Sequence, residues 1–105
     1  MASLNGMARR KRAVTGLISE LMAQLNLAKD PNILVFIPLG GLGPIDIVTL
    51  NMTTGEYTAY DVKTKNFRKK DYIPSDGYKR NAKGSLINRQ TTNEQKKLNV
   101  KIIYP

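Results

Sequence analysis

The amino-acid sequence predicts one small α/β domain over residues 1–105, with elements in the order α-β-β-β-α-β and a mixed sheet. The N-terminal third has helical spacing of apolar residues, and three β-rich runs separated by turn residues follow it. A basic polar stretch then precedes a last apolar run. The 41% hydrophobic and 24% charged residues are typical of a folded globular protein.

The first helix is predicted over about residues 8 to 30. Its apolar residues recur at helical spacing, which predicts one buried stripe consisting of Val14, Leu17, Ile18, Leu21, Leu25 and Ala28. Asp30-Pro31 ends the helix, because the residue before a proline avoids the α conformation. We expect residues 1–7, before the helix, to be disordered.

Three strands are predicted next. Residues 33–39 are β-branched and almost wholly apolar, as in a strand that is covered on both faces. After a glycine-rich turn, residues 45–51 read as a second strand. Thr53-Thr54-Gly55 then predicts a hairpin turn, which leads into a third strand over residues 57–64.

The last part of the chain is predicted as a loop, a helix and a strand. Residues 65–85 are basic, polar and poorly periodic, and a loop of this length in a small domain is usually functional or mobile. Residues 86–98 are predicted as a second helix that is polar on most of its surface. Residues 100–104 form the last predicted strand.

Composition excludes several kinds of chemistry. The sequence has no Cys and no His, which excludes disulfides, thiolate or imidazole zinc sites, Ser-His-Asp and Cys-His catalysis, and His-dependent nucleases. Catalysis would have to use carboxylates, Lys, Arg, hydroxyls or oxygen-ligated metals. Since no run approaches the roughly 20 apolar residues of a membrane span, no membrane is expected as a partner. The lack of Cys favours the reducing cytoplasm.

Positive charge is concentrated in the second half of the chain. Residues 1–62 carry five basic and five acidic side chains, whereas residues 63–105 carry twelve basic and three acidic ones, the whole net charge of +9. A field of one sign on one half of a small domain favours a polyanionic partner, and nucleic acid is the first candidate. The alternatives are an anionic membrane surface and a basic face that only aids solubility.

Two acids lie inside strand-like apolar runs, namely Asp46 in IDIV and Asp61 in YDVK. A carboxylate in a half-buried strand is unfavourable unless a cation or hydrogen-bond donors compensate it, and two on adjacent strands can share a divalent ion. The side-chain period of two places Asp61 and Lys63 on one face of the third strand. Glu20 lies at the edge of the apolar stripe of the first helix. The alternative is that these are ordinary surface groups, with Asp61 in an ion pair worth about 0–1 kcal/mol.

Gly16 lies one turn before Glu20. A glycine inside a helix is about 1 kcal/mol less favourable than alanine. A glycine at position 16 therefore indicates that another backbone comes close to the helix there, because a glycine has no side chain to prevent it. That backbone is either a phosphodiester strand or the sheet of the same domain, and the residues alone leave both open.

Gly16 and Glu20, followed by VFIPLGGLGPIDIV and then YDVKT, resemble the PD-(D/E)XK nuclease superfamily over roughly residues 12 to 104. The likeness is greatest to small phage and intron-encoded endonucleases and to Holliday junction resolvases. It implies a restriction-endonuclease-like core. Two departures are visible: one residue separates Pro44 from Asp46, and the second acid is Asp61 rather than a glutamate.

The resemblance implies a Mg²⁺-dependent DNA endonuclease, with Mn²⁺ as a possible substitute, in a bacterial or phage-infected cell. Its catalytic residues would be Glu20, Asp46, Asp61 and Lys63. Asp46, Asp61, the carbonyl of Val62 and Glu20 would be the metal ligands. Lys63 would orient the attacking water and offset charge on the phosphate. The different class of function left open is a non-catalytic nucleic-acid-binding protein on the same fold.

DNA is the expected partner, although nothing in the sequence excludes RNA. The cations expected to contact phosphates are Lys65, Arg68, Lys69, Lys70, Lys79, Arg80, Lys83 and Arg89, with Arg9, Arg10, Lys11 and Arg12 as a second contact arm. A chain of this size has little apparatus for reading base edges, which favours structure-selective or weakly sequence-selective cleavage over homing or restriction specificity. Cutting both strands would suggest a homodimer, whereas a nicking enzyme needs no partner.

Overall fold

The computed structural model describes residues 4–41, 43–69 and 83–105, which form an α/β fold. The elements are α1 (Leu4–Ala28), β1 (Ile33–Phe36), β2 (Ile47–Asn51), β3 (Tyr57–Val62), α2 (Asn93–Lys97) and β4 (Val100–Ile103). The predicted order α-β-β-β-α-β is therefore confirmed. No helix among these residues is both long enough and apolar enough to cross a membrane.

The strands form a mixed sheet in the order β1-β2-β3-β4. β1 pairs antiparallel with β2, β2 antiparallel with β3, and β3 parallel with β4. β3 thus lies inside the sheet, with Asp61 opposite Ile102 and Val62 opposite Ile103. Because neighbours flank it on both sides, the end of β3 is held in a fixed position.

The predicted hairpin turn between β2 and β3 is confirmed. Asn51 Oδ1 accepts hydrogen bonds from the backbone N–H groups of Thr53 (2.9 Å) and Thr54 (3.2 Å). Gly55 has a φ of 74°, in the left-handed region that favours glycine. Asn32, just before β1, donates to the same Asn51 oxygen at 2.8 Å and so ties the turn to the neighbouring strand.

Two predicted helix boundaries are wrong. α1 begins at Leu4, so residues 4–7 are helical rather than disordered. The good helix formers Leu4, Met7 and Ala8 extend the helix even though Asn5 and Gly6 between them have low helix propensity. α2 covers only Asn93–Lys97 instead of residues 86–98. Its start is set by a capping box, in which Thr92 Oγ1 accepts from Gln95 N at 3.2 Å and Gln95 Oε1 accepts from Thr92 N at 3.0 Å.

The predicted long loop over residues 65–85 is paired at both ends. Phe67 and Leu86 form an antiparallel bridge. Around this bridge, Arg68 N donates to Ser85 O at 2.9 Å and Gly84 N donates to Arg68 O at 2.8 Å. The two ends of the basic segment are thus held side by side, while residues 70–82 lie outside the described part of the chain.

The apolar stripe of α1 does not face the sheet, so its predicted burial is wrong. α1 packs against β1 and β3 through small residues, with Ala23 fully buried and Ser19 7% exposed. The predicted stripe remains exposed, at 51–62% for its large members Val14, Leu17, Ile18, Leu21 and Leu25. The small residues are the ones that let the helix backbone approach the strands closely, and they lie on the opposite side of α1 from the stripe.

The first strand is shorter than predicted and is not covered on both faces. Ile33 and Val35 are partly buried, whereas Leu34 and Phe36 on the other face are 42% and 47% exposed. β1 is an edge strand, and α2 packs on β4 at the opposite edge of the sheet. α2 therefore does not cover the face of β1 that carries Leu34 and Phe36.

Candidate active site

Asp46 is held against the end of β3 by two hydrogen bonds. Its backbone N–H donates to Tyr60 O at 2.8 Å, which continues the β2–β3 ladder by one residue. Its side-chain Oδ2 accepts from Val62 N at 2.7 Å. The glycine-rich turn before β2 thus delivers a carboxylate whose position is set by the backbone of the neighbouring strand.

Asp61 lies on β3 and is 6% exposed. Lys63 Nζ lies 3.0 Å from Asp61 Oδ2, an ion pair between residues on the same face of the strand. Within the described part of the chain this oxygen is buried and accepts no hydrogen bond, and the Lys63 ammonium compensates its charge. A buried carboxylate oxygen without a hydrogen bond is uncommon and retains lone pairs that a further cation or donor could use.

The three acids that the sequence singled out affect one another electrostatically. Burial raises the pKa of Asp46 above its ordinary value of 3.8, and the hydrogen bond and the charge of the Asp61 carboxylate add to this, as does the charge of Glu20. The hydrogen bond from the Val62 N–H opposes the rise. The structure therefore brings Asp46 and Asp61 together, with Lys63 beside them and Glu20 within electrostatic range.

Glu20 is not gathered with the other two acids into a metal-binding cluster. Across residues 4–41, 43–69 and 83–105, no group of three or more His, Cys, Asp or Glu side chains is arranged to hold a metal ion. Glu20 is partly buried on α1 and acts on Asp46 through its charge. The carboxylates brought together are thus the pair Asp46 and Asp61, and a direct ligand role for Glu20 remains a prediction.

A cleft of about 450 Å³ opens between α1 and the end of β3, next to Lys63. It is lined by Lys11, Arg12, Thr15 and Gly16 from α1, by Val62, Lys63, Thr64 and Asn66 from β3 and the segment after it, and by Arg89. Ser19 Oγ and Thr64 Oγ1 lie 2.8 Å apart and join the two walls. A cleft of this size lined by four cations suits a phosphate-bearing ligand.

Gly16 borders this cleft, and a Cβ placed there would meet no atom within 4 Å. Close packing of the helix on the sheet therefore does not account for the glycine, and that alternative of the sequence prediction is wrong. Open space in front of Gly16 is what close approach by a ligand requires.

The predicted phosphate-binding residues fall into three groups. Arg89 lines the cleft, where its backbone N–H donates to Tyr104 Oη at 2.6 Å. Lys65, Lys69 and Lys83 are exposed and Arg68 is partly buried, around the Phe67–Leu86 bridge and outside the cleft lining. Lys70, Lys79 and Arg80 lie outside the described residues. Phe67, between Lys65 and Arg68, is 56% exposed.

Several cleft residues were not found by sequence reasoning. Thr15, Thr64 and Asn66 line the cleft, and Lys11 and Arg12 belong to the same wall instead of a separate arm. A signal for the α1 residues was available, because Lys11 and Arg12 precede Thr15 and Gly16 by one helical turn. Nothing in the sequence pattern indicates Thr64 or Asn66, which reach the cleft only because β3 ends beside α1.

No protein-family model, curated protein or solved structure matches this chain.

Proposed function

We propose that this chain is a Mg²⁺-dependent endonuclease that hydrolyses phosphodiester bonds in DNA. The observation that carries the proposal is the convergence of Asp46, Asp61 and Lys63 at the end of β3, beside a cleft lined by cations. Carboxylates and an amine suffice for metal-assisted hydrolysis, and a cationic cleft attracts the phosphodiester backbone.

The residues at the end of β3 fit a hard divalent cation. Asp46 and Asp61 would hold it, with the carbonyl oxygen of Val62 as a third donor, since Mg²⁺ and Mn²⁺ prefer oxygen ligands. Two observations support this fit: Asp61 Oδ2 is buried without a hydrogen bond, and the pKa of Asp46 is raised by burial and by the neighbouring carboxylates. A bound cation would give the buried Asp61 oxygen a partner and would favour the charged form of Asp46. It would also supply Lewis acidity to the phosphate and to an attacking water.

Lys63 has two tasks in the proposed reaction. Its ammonium, held 3.0 Å from Asp61 Oδ2, would hydrogen-bond the attacking water and offset the negative charge that builds on the phosphate oxygens. The water oxygen forms a bond to phosphorus while one phosphorus–oxygen ester bond breaks, and the water proton passes to the leaving oxygen. Arg12 and Arg89 would hold the flanking phosphates, and Glu20 would bind a second ion or a water near Asp46.

The substrate preference that we propose is DNA structure or weak sequence selectivity. The described cleft, in a chain of 105 residues, offers little surface for reading many base edges, which favours junction-resolvase-like cleavage over homing or restriction-like specificity. The proposal implies the cytoplasm of a bacterial or phage-infected cell, where such DNA is accessible. RNA is tested as a competing substrate.

One observation favours a second candidate, a nucleic-acid-binding protein without activity. Within the described residues, two carboxylates and not three gather at the site. Such a site could bind a polyanion through its cations while holding a metal too weakly for turnover. The two candidates differ in whether Mg²⁺ converts bound DNA to product.

The decisive experiment incubates the full chain with branched, duplex and single-stranded DNA and with RNA, in Mg²⁺, in Mn²⁺ and in a chelator. Asp61→Asn and Lys63→Ala are the test variants. Glu56→Gln and Lys101→Ala are matched controls, because they remove the same charges at exposed positions outside the cleft. DNA binding is measured separately for every variant.

We expect metal-dependent cleavage by the parent chain and both controls, and a loss of at least about a hundredfold in both test variants with DNA binding retained. Equal cleavage by Asp61→Asn and the parent would contradict the assignment of the site. Salt-sensitive binding without cleavage of any substrate would support the binding protein instead.

A further inference from the structure

We propose that two copies of this chain form a two-fold symmetric dimer through the exposed apolar face of α1, with the two helices antiparallel. This face, the α1 stripe, consists of Met7, Val14, Leu17, Ile18, Leu21 and Leu25, each 51–62% exposed. The inference goes beyond the proposed function, because it concerns the surface that joins two chains and is tested without DNA.

The single chain buries few apolar side chains. Among the described residues, the buried hydrophobic side chains are Ala23, Ile47 and Val100. The α1 stripe by itself therefore has more large apolar side chains in contact with water than the interior has buried. An amphipathic helix must bury its apolar stripe against another element, and the sheet occupies the opposite side of α1.

The exposed area is of the size that a dimer needs. Six large apolar side chains at about half exposure present on the order of 500 Å² per chain, in the upper part of the roughly 300–600 Å² of the largest patch on a typical monomer, and such a patch is often functional. The 25 residues of α1 extend over roughly 37 Å, so the neighbouring side chains would add to the contact. The total approaches the roughly 800 Å² per partner of a standard interface.

Charge along α1 favours the antiparallel arrangement of two copies. Arg9, Arg10, Lys11 and Arg12 lie in its first half, whereas the single cation near its other end is Lys29, just after the last turn, whose ammonium donates to Asn26 Oδ1 at 3.4 Å. The carboxyl end of a helix carries partial negative charge, and Glu20 lies in the second half. Antiparallel packing places the basic half of each helix beside the negative end of the other, while parallel packing would place the two basic clusters together.

Dimerisation by this face leaves the Gly16 side of each cleft open, while Lys11, four residues after Met7 and seven before Ile18, lies where the cleft borders the contact. Gly16, Ser19 and Ala23, which face the cleft or the sheet, fall on the other side of the helical wheel from Val14, Leu21 and Leu25. A two-fold pair also covers the α1 stripe of both copies at once, so no part of this stripe is left for a third chain.

The test measures mass in solution by light scattering after gel filtration and by sedimentation. We expect the parent chain to have twice the 11.7 kDa of one chain and the double variant Leu17→Glu, Leu21→Glu to have the mass of one chain with unchanged helical circular dichroism. Met52→Glu is the matched control, because Met52 is 52% exposed in the β2–β3 turn, away from α1, and its variant should remain a dimer.

Crosslinking gives a second test that does not depend on how the double variant folds. The sequence contains no Cys, so single variants Leu17→Cys and Ile18→Cys, nearest the middle of the α1 stripe and hence nearest the two-fold axis of an antiparallel pair, should form disulfide-linked dimers on mild oxidation, whereas Met52→Cys should not. A parent chain that is a monomer at micromolar to millimolar concentration would overturn the proposal. A dimer that survives the double variant and crosslinks no better through Leu17→Cys or Ile18→Cys than through Met52→Cys would overturn the assigned surface.

Discussion

Replacing Asp46 by Asn should make the free protein more stable while abolishing cleavage. Asn keeps an oxygen that can accept the hydrogen bond from Val62 N, which measures 2.7 Å in the parent chain. It removes the negative charge that burial, Asp61 and Glu20 disfavour. A group whose removal stabilises the fold but eliminates activity serves the site and not the fold.

The size of the stabilisation follows from the charges at the site. Two unit charges 4 Å apart interact by roughly 4 kcal/mol at an effective dielectric of 20, which sets an upper limit for the repulsion between two neighbouring carboxylates. The Lys63 ammonium, 3.0 Å from Asp61 Oδ2, offsets much of this, and solvent in the open site screens the remainder. We therefore expect a net gain near 1 kcal/mol at neutral pH, which raises the Tm by about 4–8 °C in a domain of this size.

The pH dependence has a definite sign. Because the folded-state pKa of Asp46 is raised, the folded state binds the proton more tightly than the unfolded chain does. The contribution of this group to stability is therefore present below the ordinary pKa of 3.8 and is lost as the pH rises through the raised folded value. Asp46→Asn does not lose this contribution. The difference in unfolding free energy between the variant and the parent should therefore grow as the pH rises from 3.8 through the raised pKa of Asp46, and should then stay constant.

Thermal unfolding of the parent and Asp46→Asn between pH 3 and 8, with and without Mg²⁺, measures the effect. Mg²⁺ should raise the Tm of the parent and leave that of the variant nearly unchanged, because the variant lacks one of the two proposed ligands. Glu56→Gln, at an exposed acid just before β3, is the control for a general effect of charge. A variant less stable than the parent at neutral pH would refute the account of repulsion at the site.

Three further predictions concern the cleft and the fold. Arg89→Ala should weaken DNA binding and reduce the slope of log K against log salt by about one, because it removes one phosphate contact in the cleft. Lys101→Ala is the control and should leave the slope unchanged in the same fluorescence titrations. Equal slopes for Arg89→Ala and the parent would exclude a phosphate contact by Arg89. Gly16→Ala should raise the free energy of unfolding by up to about 1 kcal/mol in chemical denaturation, because alanine favours the helix and its Cβ would meet no protein atom. It should weaken DNA binding, because the added methyl group lies at the cleft. Unchanged binding would show that no ligand comes close to this position. Thr92→Ala should lower stability by about 1 kcal/mol through loss of the capping box without changing the cleavage rate, and a larger loss of cleavage than of stability would place α2 in the site.

The strands and their turn were predictable because their signals are local. Alternating and β-branched runs, together with Thr53-Thr54-Gly55, predict β2, β3 and the hairpin between them. The relation of Asp61 to Lys63 follows from the same period of two and corresponds to a measured contact of 3.0 Å. Chemistry carried by one strand can thus be read from spacing alone.

The ends of elements were less predictable, because competing local interactions decide them. The polar pattern of residues 86–98 allowed a long helix, but Leu86 pairs with Phe67 and the Thr92–Gln95 capping box starts α2 only at Asn93. Both interactions use backbone groups that a longer helix would need for itself. Pairing across the basic segment joins residues nearly twenty positions apart and leaves no periodic signal.

By itself, the sequence determined the order of elements, the position of Asp61 inside β3 and the concentration of positive charge after β3, since each depends on neighbouring residues along the chain. Asp46, predicted inside the second strand, lies one residue before β2. Only the tertiary structure decided that Asp46 reaches Val62 N, that Lys11, Arg12 and Arg89 line one cleft, and that α1 turns its small residues to the sheet. Periodicity shows that a helix has an apolar stripe, but which face meets the sheet depends on how closely two backbones can approach. Small residues allow the closest approach, and the large apolar side chains of α1 are therefore left facing outward.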